Sequence, residues 1–368
     1  MITPEQYQEA IDAYTLSGNN MSLASKSLGL PRSTAHVRIK AAIEKGYKPS
    51  PDADPTLNGA SVMHVLNSDG RYDKKVVWAK KNKDEENQKE ILKAFADGFK
   101  EEIPKADPVD PPTLSDPNLL ALYVLSDFHI GMRSNNWNLE EAEKVCKLWV
   151  HRSVKASMNA ETAILCFQGD TEHWDSLTPV TPANNHVLDA CCTTRMMARL
   201  TIKLIRYCVN TLLKHHKNVH IIYCLGNHDE SNATVHSEWI AAHYEDENRV
   251  SVDESETVYH CYEWGNTSLF FHHGHKRKTT DIDRVLASAY HEVFGRTKYR
   301  FLHLGHLHHS ASSETQLMKI EIHPTLADKD EYALNGGWYS QRGANTIIYH
   351  KKYGEVSRVI TRPEMLDE

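Results

Sequence analysis

The feature that most constrains the fold is a set of five short, almost continuously apolar runs in the second part of the chain. The runs cover residues 119–125, 162–167, 219–225, 267–271 and 300–304. Strands that are apolar along their whole length are typical of a sheet covered on both faces. Helical stretches are predicted between them at 139–158, 187–216 and 281–294. This alternation predicts an α/β layered domain.

Each apolar run leads directly into side chains of the types that bind metal ions. The five segments are Ser126-Asp127-Phe128-His129, Gln168-Gly169-Asp170-Thr171-Glu172-His173, Gly226-Asn227-His228-Asp229, His272-His273-Gly274-His275 and Gly305-His306-Leu307-His308. For any single histidine among them packing is the better explanation, but packing does not explain five such segments in this order. Histidine is the commonest metal ligand, and ligands bind outside the carboxyl ends of strands in open α/β sheets. We therefore expect the five ends to converge on one site.

Taken in this order, the five segments resemble the motifs of the calcineurin-like metallophosphoesterase superfamily, over roughly residues 119–310. The resemblance implies a β-sandwich flanked by helices, with two divalent metal ions at its edge. On the matching positions, the two ions would share Asp170. One ion would also take Asp127, His129 and His308, and the other would take Asn227, His273 and His306.

The chemistry of these residue types agrees with that assignment. Two cations roughly 3.5–4 Å apart need a shared anionic ligand. The neutral Asn227 and several imidazoles keep the charge of the ligand set low, so that bound water becomes hydroxide near neutral pH and attacks phosphorus. The mixture of oxygen and nitrogen ligands suits Mn²⁺, which we expect, and also Fe or Zn²⁺.

Three further residues are candidates for catalysis. His228 resembles the catalytic histidine of the superfamily, which donates to the leaving oxygen or steadies the phosphate, and Asp229 would orient it. The segment Gly-Asp-x-x-His, ending at His173, is similar to the branch of double-strand-break repair nucleases, in which this histidine helps to position the phosphodiester. The alternative is a histidine that points into the following loop.

Residues 1–48 are predicted to form a small all-α domain of three helices, beginning near Pro4, near Ser22 and near Ser33. Residues 18–45 resemble a helix-turn-helix, in which the third helix presents its start to the major groove of DNA. Three-helix units of this size also serve as protein-docking modules. The buried stripe of the third helix is predicted to be Ala35, Ile39, Ala42 and Ile43, and the predicted DNA contacts are Arg32, Ser33, Thr34, His36 and Arg38.

The remaining organisation follows from composition along the chain. Residues 49–118 are rich in proline at both ends and are predicted to be a linker with one charged helix at about 83–102. The phosphoesterase domain is predicted to span 119–362, with tail strands at 315–322, 346–350 and 355–361. A basic run next to His273 could hold the flanking phosphates of a nucleic acid. That run is Lys276, Arg277 and Lys278.

Charge and cysteine content exclude several classes of protein. The net charge of −7 argues against a broadly basic coat for nucleic acid, although residues 1–50 hold six Lys/Arg against four Asp/Glu. No apolar run approaches the length of a membrane span, and the N-terminus lacks the regions of a signal peptide. Seven cysteines without paired metal spacing indicate reduced thiols. We therefore expect a cytoplasmic protein that does not enter a membrane.

The sequence thus predicts a metal-dependent nuclease that acts on DNA. A phosphatase or a small-molecule phosphodiesterase, for example one that acts on nucleotides, is the alternative. A DNA-binding regulator whose phosphoesterase domain is no longer catalytic is a third hypothesis, although all the matching ligand positions are filled.

Overall fold

The computed structural model describes residues 2–17, 20–50, 57–66, 72–81, 109–155, 157–182, 186–329, 336–337 and 339–366. The chain divides into two compact units, Met1–Lys93 and Ala94–Glu368. The charged helix predicted at 83–102 lies outside the described residues.

The first unit contains three helices within one residue of the predicted starts. They are α1 (Pro4–Leu16), α2 (Met21–Ser27) and α3 (Arg32–Glu44). The start of α1 is fixed by a capping box, in which Thr3 and Gln6 exchange side-chain-to-backbone hydrogen bonds. Gly29, at φ +63°, allows the tight turn before α3 because it has no Cβ.

The buried face of α3 is narrower than the sequence predicts. Ala35, Ile39 and Ala42 are buried as predicted, and Ala35 and Ile39 pack with Ala10 of α1. The prediction for Ile43 is wrong, because this side chain is 55% exposed. Successive helical residues are about 100° apart, so Ile43 lies beyond a stripe that is already completed at positions i, i+4 and i+7.

The segment that the sequence assigns to a linker contains an antiparallel hairpin. Its strands are β1 (Leu57–Leu66) and β2 (Tyr72–Lys81). The segment was predicted to be a spacer, and its first strand was not predicted.

The second unit is built from eleven described strands and five described helices. The strands are β3 (Asp116–Leu125), β4 (Ala160–Phe167), β5 (Asn218–Tyr223), β6 (Val250–Val252), β7 (His260–Trp264), β8 (Thr267–Phe271), β9 (Tyr299–Leu304), β10 (Ala311–Glu314), β11 (Lys319–Ile322), β12 (Ala344–His350) and β13 (Gly354–Thr361). The helices are α4 (Leu139–Lys155), α5 (Thr194–Leu213), α6 (Glu230–His243), α7 (Ile282–Ala289) and α8 (His291–Arg296).

The strands form two sheets that pack face to face. One sheet has the order β13-β12-β3-β4-β5-β6, and the other has the order β10-β11-β9-β8-β7. Strands β3 to β6 run parallel to one another, as do β8, β9 and β11. The predicted α/β layered class is therefore confirmed.

The side chains of β3 point alternately to the two faces of its sheet, and this alternation explains the layers of the fold. Leu120, Leu122 and Val124 face the other sheet and share a core with Phe271 of β8. The intervening residues, such as Tyr123, pack with helices α4, α5 and α6 on the outer face. A third core covers the far side of the second sheet with α7. The layers therefore run helix, sheet, sheet, helix, and every central strand is covered on both faces.

The five apolar runs became strands, but they divide between the two sheets. The first three are β3, β4 and β5, and the last two are β8 and β9. The predicted helix at 281–294 is two helices that meet at Tyr290. The predicted strand at 315–322 begins only at Lys319, after a turn stabilised by Thr315. Helix α6 and strands β6, β7 and β10 were not predicted.

Candidate metal centre

The carboxyl ends of five strands, from both sheets, bring the candidate ligands together. In three groups of side chains, one nitrogen or oxygen atom of each lies within 4.8 Å of the others. The groups are Asp127/His129/His308, Asp170/His273/His306 and His129/His173/His228. Convergence of the segments, which the sequence predicted, is therefore observed.

The first group is centred on Asp127, a fully buried carboxylate after β3. His308 Nε2 is 3.3 Å from Asp127 Oδ1 and 3.4 Å from His129 Nε2. The backbone N–H of His306 donates to both oxygens of Asp127 at 3.0 Å, which ties the loop after β9 to the loop after β3. The side chain of His308 is 39% exposed, so this side of the group faces solvent.

The second group is centred on His273, after β8. Its Nε2 is 3.1 Å from Asp170 Oδ2 and 3.2 Å from Asn227 Oδ1. Its Nδ1 lies 2.8 Å from the carbonyl oxygen of Gln168, which can only accept. Nδ1 therefore carries the hydrogen, and this leaves Nε2 directed at the acidic side chains, as in metal-binding histidines. Gln168 was not predicted to take part, and no sequence signal distinguishes a backbone carbonyl.

The spacing of these donor atoms fits a shared cation. Two ligands at bonds of about 2.0–2.1 Å in a tetrahedral arrangement lie roughly 3.3 Å from each other. The observed separations around His308 and His273 are 3.1–3.4 Å. The Nε2 atoms of His129 and His308 face each other at 3.4 Å. Carboxylate and imidazole donors at these separations fit divalent transition metals.

The backbone at the centre adopts conformations that side chains usually avoid. Seven described non-glycine residues have positive φ, between +46° and +69°. Five of them are predicted metal ligands, namely Asp127, His129, Asp170, His306 and His308. Such conformations cost on the order of 1–3 kcal/mol each and cluster at functional sites. The fold therefore holds these side chains in place at a cost in stability.

Two glycines leave the space that the ligands occupy. A Cβ atom on Gly226 would lie 2.1 Å from Asp170 Oδ1, and one on Gly169 would lie 2.5 Å from His273 Nδ1. Gly169 also has φ +88°. Real Cβ atoms do not approach other atoms this closely, so both positions require glycine for close approach.

The histidines of the centre counteract the effect of burial on the pKa of Asp127 and Asp170. Burial would raise the pKa of the Asp170 carboxyl, but His273, His228 and His129 outweigh it and hold that pKa well below its usual range. Burial likewise opposes ionisation of Asp127, but chiefly His308 lowers the pKa of this carboxyl. Both carboxylates are therefore ionised at neutral pH, as metal ligands must be.

The histidines of the centre differ in the direction of their pKa shifts. Burial, together with the neighbouring histidines, lowers the pKa of His129 well below its usual value and that of His173 to about 3. Burial also opposes a charge on His273, but Asp170 outweighs it and raises the pKa of His273 to about 10. A cation that binds at His273 must therefore displace a proton.

His228 lies beside the two groups and is half-buried. Its backbone N–H donates to Asp170 Oδ1 at 2.8 Å, and its ring Nδ1 lies 2.9 Å from the carbonyl oxygen of His173. The rings of His228 and His173 stack at 5.6 Å with an angle of 11°. The predicted catalytic histidine is thus in the site, with its Nδ1 already engaged.

The carboxylate of Asp229, which was predicted to orient His228, is hydrogen-bonded to the backbone of two loops. It accepts three N–H groups. The donors are Asp170 and Gly226 to Oδ1, at 3.1 and 3.2 Å, and Glu172 to Oδ2, at 3.0 Å. Asp229 therefore ties the loop after β4 to the loop after β5, while the ring Nδ1 of His228 is bonded to the carbonyl of His173.

The side chain of His173 lies behind one of the predicted ligands. It is only 1% exposed. Its Nδ1 lies 3.1 Å from Nδ1 of His129. The nearest polar group is thus a predicted metal ligand.

The predicted nucleic-acid contacts are at the surface, in both units. Arg32, Ser33, Thr34 and His36 are exposed on the first turns of α3, and Arg38 is half-buried. Lys276, Arg277 and Lys278 are exposed after β8, where Lys276 Nζ lies 3.0 Å from both carboxylate oxygens of Glu230. One positive charge of the basic run is therefore neutralised.

A fourth group of possible ligands is hydrogen-bonded among itself and to its neighbours. It contains His303, Glu321 and His323. His323 donates or accepts on both sides of its ring, with His303 at 2.9 Å from Nε2 and Asn345 at 2.9 Å from Nδ1. Glu321 is held by Arg358. Because the partners lie on opposite sides of the His323 ring, this group is a hydrogen-bonded chain between the sheets and not a chelate.

Comparison with known proteins leaves the family open. No family model matches the sequence, and no curated protein matches it. Among solved structures, an archaeal phosphodiesterase is 13% identical with a TM-score of 0.35, covering 65% of this chain and 99% of that one. A predicted phosphoesterase from Streptococcus pneumoniae is 9% identical with a TM-score of 0.30, covering 66% and 98%. Wild-type Vps29 from Entamoeba histolytica, complexed with zinc, is 13% identical with a TM-score of 0.31, covering 65% and 98%.

With TM-scores below 0.5, these likenesses assign neither a family nor an activity to the chain. Among the described helices, none is long and apolar enough to cross a membrane.

Proposed function

We propose that this chain is a two-metal phosphoesterase that hydrolyses DNA phosphodiesters. The observation that carries the proposal is the meeting of two groups of ligand atoms, in which His308 and His273 lie 3.1–3.4 Å from their neighbouring donor atoms. The groups adjoin, because His273 Nε2 lies 3.9 Å from Asp127 Oδ1. Two cation sites side by side are the arrangement that phosphatases and nucleases use.

Each cation would be held by residues of both sheets. Asp127, His129 and His308 would hold the first, Asn227, His273 and His306 would hold the second, and Asp170 would bridge them. When bound, the two ions supply an activated water and neutralise charge on the phosphoryl oxygens. Mn²⁺ is the ion that we expect, and Fe or Zn²⁺ would suit the same donors.

His228 is the residue that we assign to proton transfer. Its Nδ1 donates to the carbonyl of His173, at 2.9 Å, in the neutral ring and in the protonated ring alike. The ring can therefore gain or lose a proton at Nε2 without turning. A half-buried histidine held in this way can donate to the leaving oxygen or steady the phosphate.

Two surfaces support DNA as the substrate. The exposed residues at the start of α3, led by Arg32, offer a charged and hydroxyl-bearing helix end, and such ends bind phosphates and bases in helix-turn-helix proteins. Exposed Arg277 and Lys278 follow His273 by only a few residues. Lysine and arginine contacts to phosphates supply most of the affinity for nucleic acid.

A phosphatase or a small-molecule phosphodiesterase is the second candidate. The net charge of −7 and the pairing of Lys276 with Glu230 both favour it, because they reduce attraction for a polyanion. A small substrate would need only the cations and His228.

A substrate panel separates the two candidates. The Mn²⁺-loaded protein would be assayed on single- and double-stranded DNA, RNA, bis(nitrophenyl) phosphate and nitrophenyl phosphate. We expect cleavage of DNA that falls at least about 100-fold in Asp170→Asn and in His228→Ala, and is unchanged in Glu254→Gln, an exposed carboxylate of the same domain. Hydrolysis of a nitrophenyl ester without cleavage of any nucleic acid would exclude the nuclease. Inactivity on every substrate would exclude both candidates.

A further inference from the structure

The side chain of His173 lies directly behind the predicted metal ligand His129. Their Nδ1 atoms are 3.1 Å apart, and the rings meet edge to face at 85°. The two side chains are 4% and 1% exposed, so water does not separate them. The other nitrogen of His129, Nε2, faces His308 Nε2 at 3.4 Å in the first ligand group.

If a cation binds to His129, the ring hydrogens of His129 and His173 can be arranged in only one way. Two ring nitrogens at 3.1 Å form a hydrogen bond only when one carries the hydrogen and the other a lone pair. If His129 gives the lone pair of Nε2 to a cation, its hydrogen must be on Nδ1, and His173 Nδ1 must accept it. The reverse arrangement puts a hydrogen on His129 Nε2 and blocks the ligand atom.

We propose that His173 is a positioning residue, which accepts the Nδ1–H of His129 and thereby fixes the tautomer and orientation of this ligand. The proposal rests on the proposed function, because it requires a cation at His129. It replaces the role predicted from the sequence, in which His173 touches the phosphodiester.

A neutral acceptor at this position has a chemical consequence. Metal-bound histidines usually donate to a carboxylate or to a backbone carbonyl, and such partners increase the basicity of the ligand. An imidazole orients His129 without adding negative charge to the site. The first cation therefore keeps more of its positive charge for the phosphoryl oxygens.

The main chain of His173 serves the site independently of the side chain. Its carbonyl accepts from Nδ1 of His228 at 2.9 Å, and its N–H donates to the carbonyl of Ile130 at 3.0 Å. Substitutions of the side chain leave these backbone groups in place. They therefore separate the orientation of His129 from the anchoring of His228.

The test compares His173→Asn with His173→Gln. An asparagine carries its amide oxygen near the position of the histidine Nδ1, whereas a glutamine carries it near Nε2, out of reach of His129. Titration calorimetry with Mn²⁺ on the full chain should give two ions for the wild type. In His173→Gln we expect binding of one of the two ions to weaken by about 10–100-fold, and in His173→Asn we expect an affinity within a few-fold of the wild type.

A second measurement does not depend on affinity. In the protein loaded with Zn²⁺, proton–nitrogen NMR of labelled histidine should place the hydrogen of His129 on Nδ1, in the wild type and in His173→Asn. Equal affinities in both variants, or a hydrogen on Nε2 of His129, would overturn the role of His173. Failure of the wild type to bind Mn²⁺ would instead overturn the proposed function, since both ions would then be lost.

Discussion

Asp229 acts in this site by holding two loops together. Asp229 accepts N–H groups from the loops after β4 and β5, and one of those donors, Asp170, is the predicted bridging ligand. The sequence Gly-Asn-His-Asp indicates a catalytic histidine with a neighbouring acid. It does not indicate which loops that acid joins, because two of its three partners, Asp170 and Glu172, lie more than 50 positions away in the chain.

Replacing Asp229 by asparagine tests this role. The amide NH₂ would face a backbone N–H that now donates to a carboxylate oxygen, so one buried donor loses its acceptor. We expect Asp229→Asn to lower the free energy of unfolding by about 1–3 kcal/mol, measured by urea denaturation of the metal-free protein. If Asp229 only oriented His228, the same variant would lose activity and keep its stability.

Gly226 sets a limit on the distance between the same two loops. A Cβ at this position would overlap Asp170 Oδ1 at 2.1 Å, whereas one on Gly295, in α8, would meet nothing within 4 Å. We expect Gly226→Ala to abolish binding of at least one cation, and Gly295→Ala to bind both ions as the wild type does. Measurement of bound metal by elemental analysis checks both variants. Two bound ions in Gly226→Ala would show that the loops can move apart freely.

At the scale of elements, the two sheets are joined by a buried polar chain as well as by apolar packing. His303 of β9 bonds to His323 and to Tyr349 of β12, at 2.9 and 3.1 Å. Glu321 of β11 is paired with Arg358 of β13. Buried polar groups need partners, and these partners come from strands of different sheets, so the chain fixes which strands face each other.

The pair Glu321–Arg358 predicts a dependence of stability on pH. Burial would raise the pKa of the Glu321 carboxyl, but hydrogen bonds from Arg358 outweigh it and lower that pKa to about 2. Because the folded-state pKa lies below the ordinary value of 4.5, the stabilisation is complete above pH 4.5 and is lost as the pH falls towards 2.

We therefore expect Glu321→Gln to be less stable than the wild type by on the order of 3 kcal/mol at pH 7. That difference should shrink between pH 4.5 and pH 2, as measured by thermal unfolding across this range. The exposed Glu314 gives the matched control, since Glu314→Gln should follow the wild type at every pH. A difference that stays constant with pH would mean that Glu321 is not ionised in the folded protein.

For the whole molecule, the sequence predicted the layered class, the three N-terminal helices and the convergence of the five segments. These follow from local patterns, namely apolar runs, helix caps and polar strand ends. The division of the runs between two sheets, the burial of His173 and the ties made by Asp229 depend on contacts between distant segments. Strand β1, helix α6 and strands β6, β7 and β10 were not predicted.

The two units of the chain give separable predictions for DNA. We expect Arg32→Ala in the full chain to weaken binding to DNA. The slope of the logarithm of the binding constant against the logarithm of the salt concentration should become shallower by about one, because one phosphate contact is lost. Hydrolysis of bis(nitrophenyl) phosphate should be unchanged, because the proposed cation ligands all belong to the other unit. Lys214→Ala removes an exposed charge of the second unit and should alter neither property. Unchanged DNA binding in Arg32→Ala would remove α3 from the interface, whatever the activity of the metal centre.

The most direct test of the account is a crystal structure of the protein soaked with Mn²⁺, with anomalous data collected near the manganese edge. We predict two anomalous peaks about 3.5–4 Å apart, one against Asp127 and His308, the other against His273 and Asn227, with Asp170 touching both. A map without a peak at these residues, or with a single peak that does not reach Asp170, would contradict a two-metal phosphoesterase.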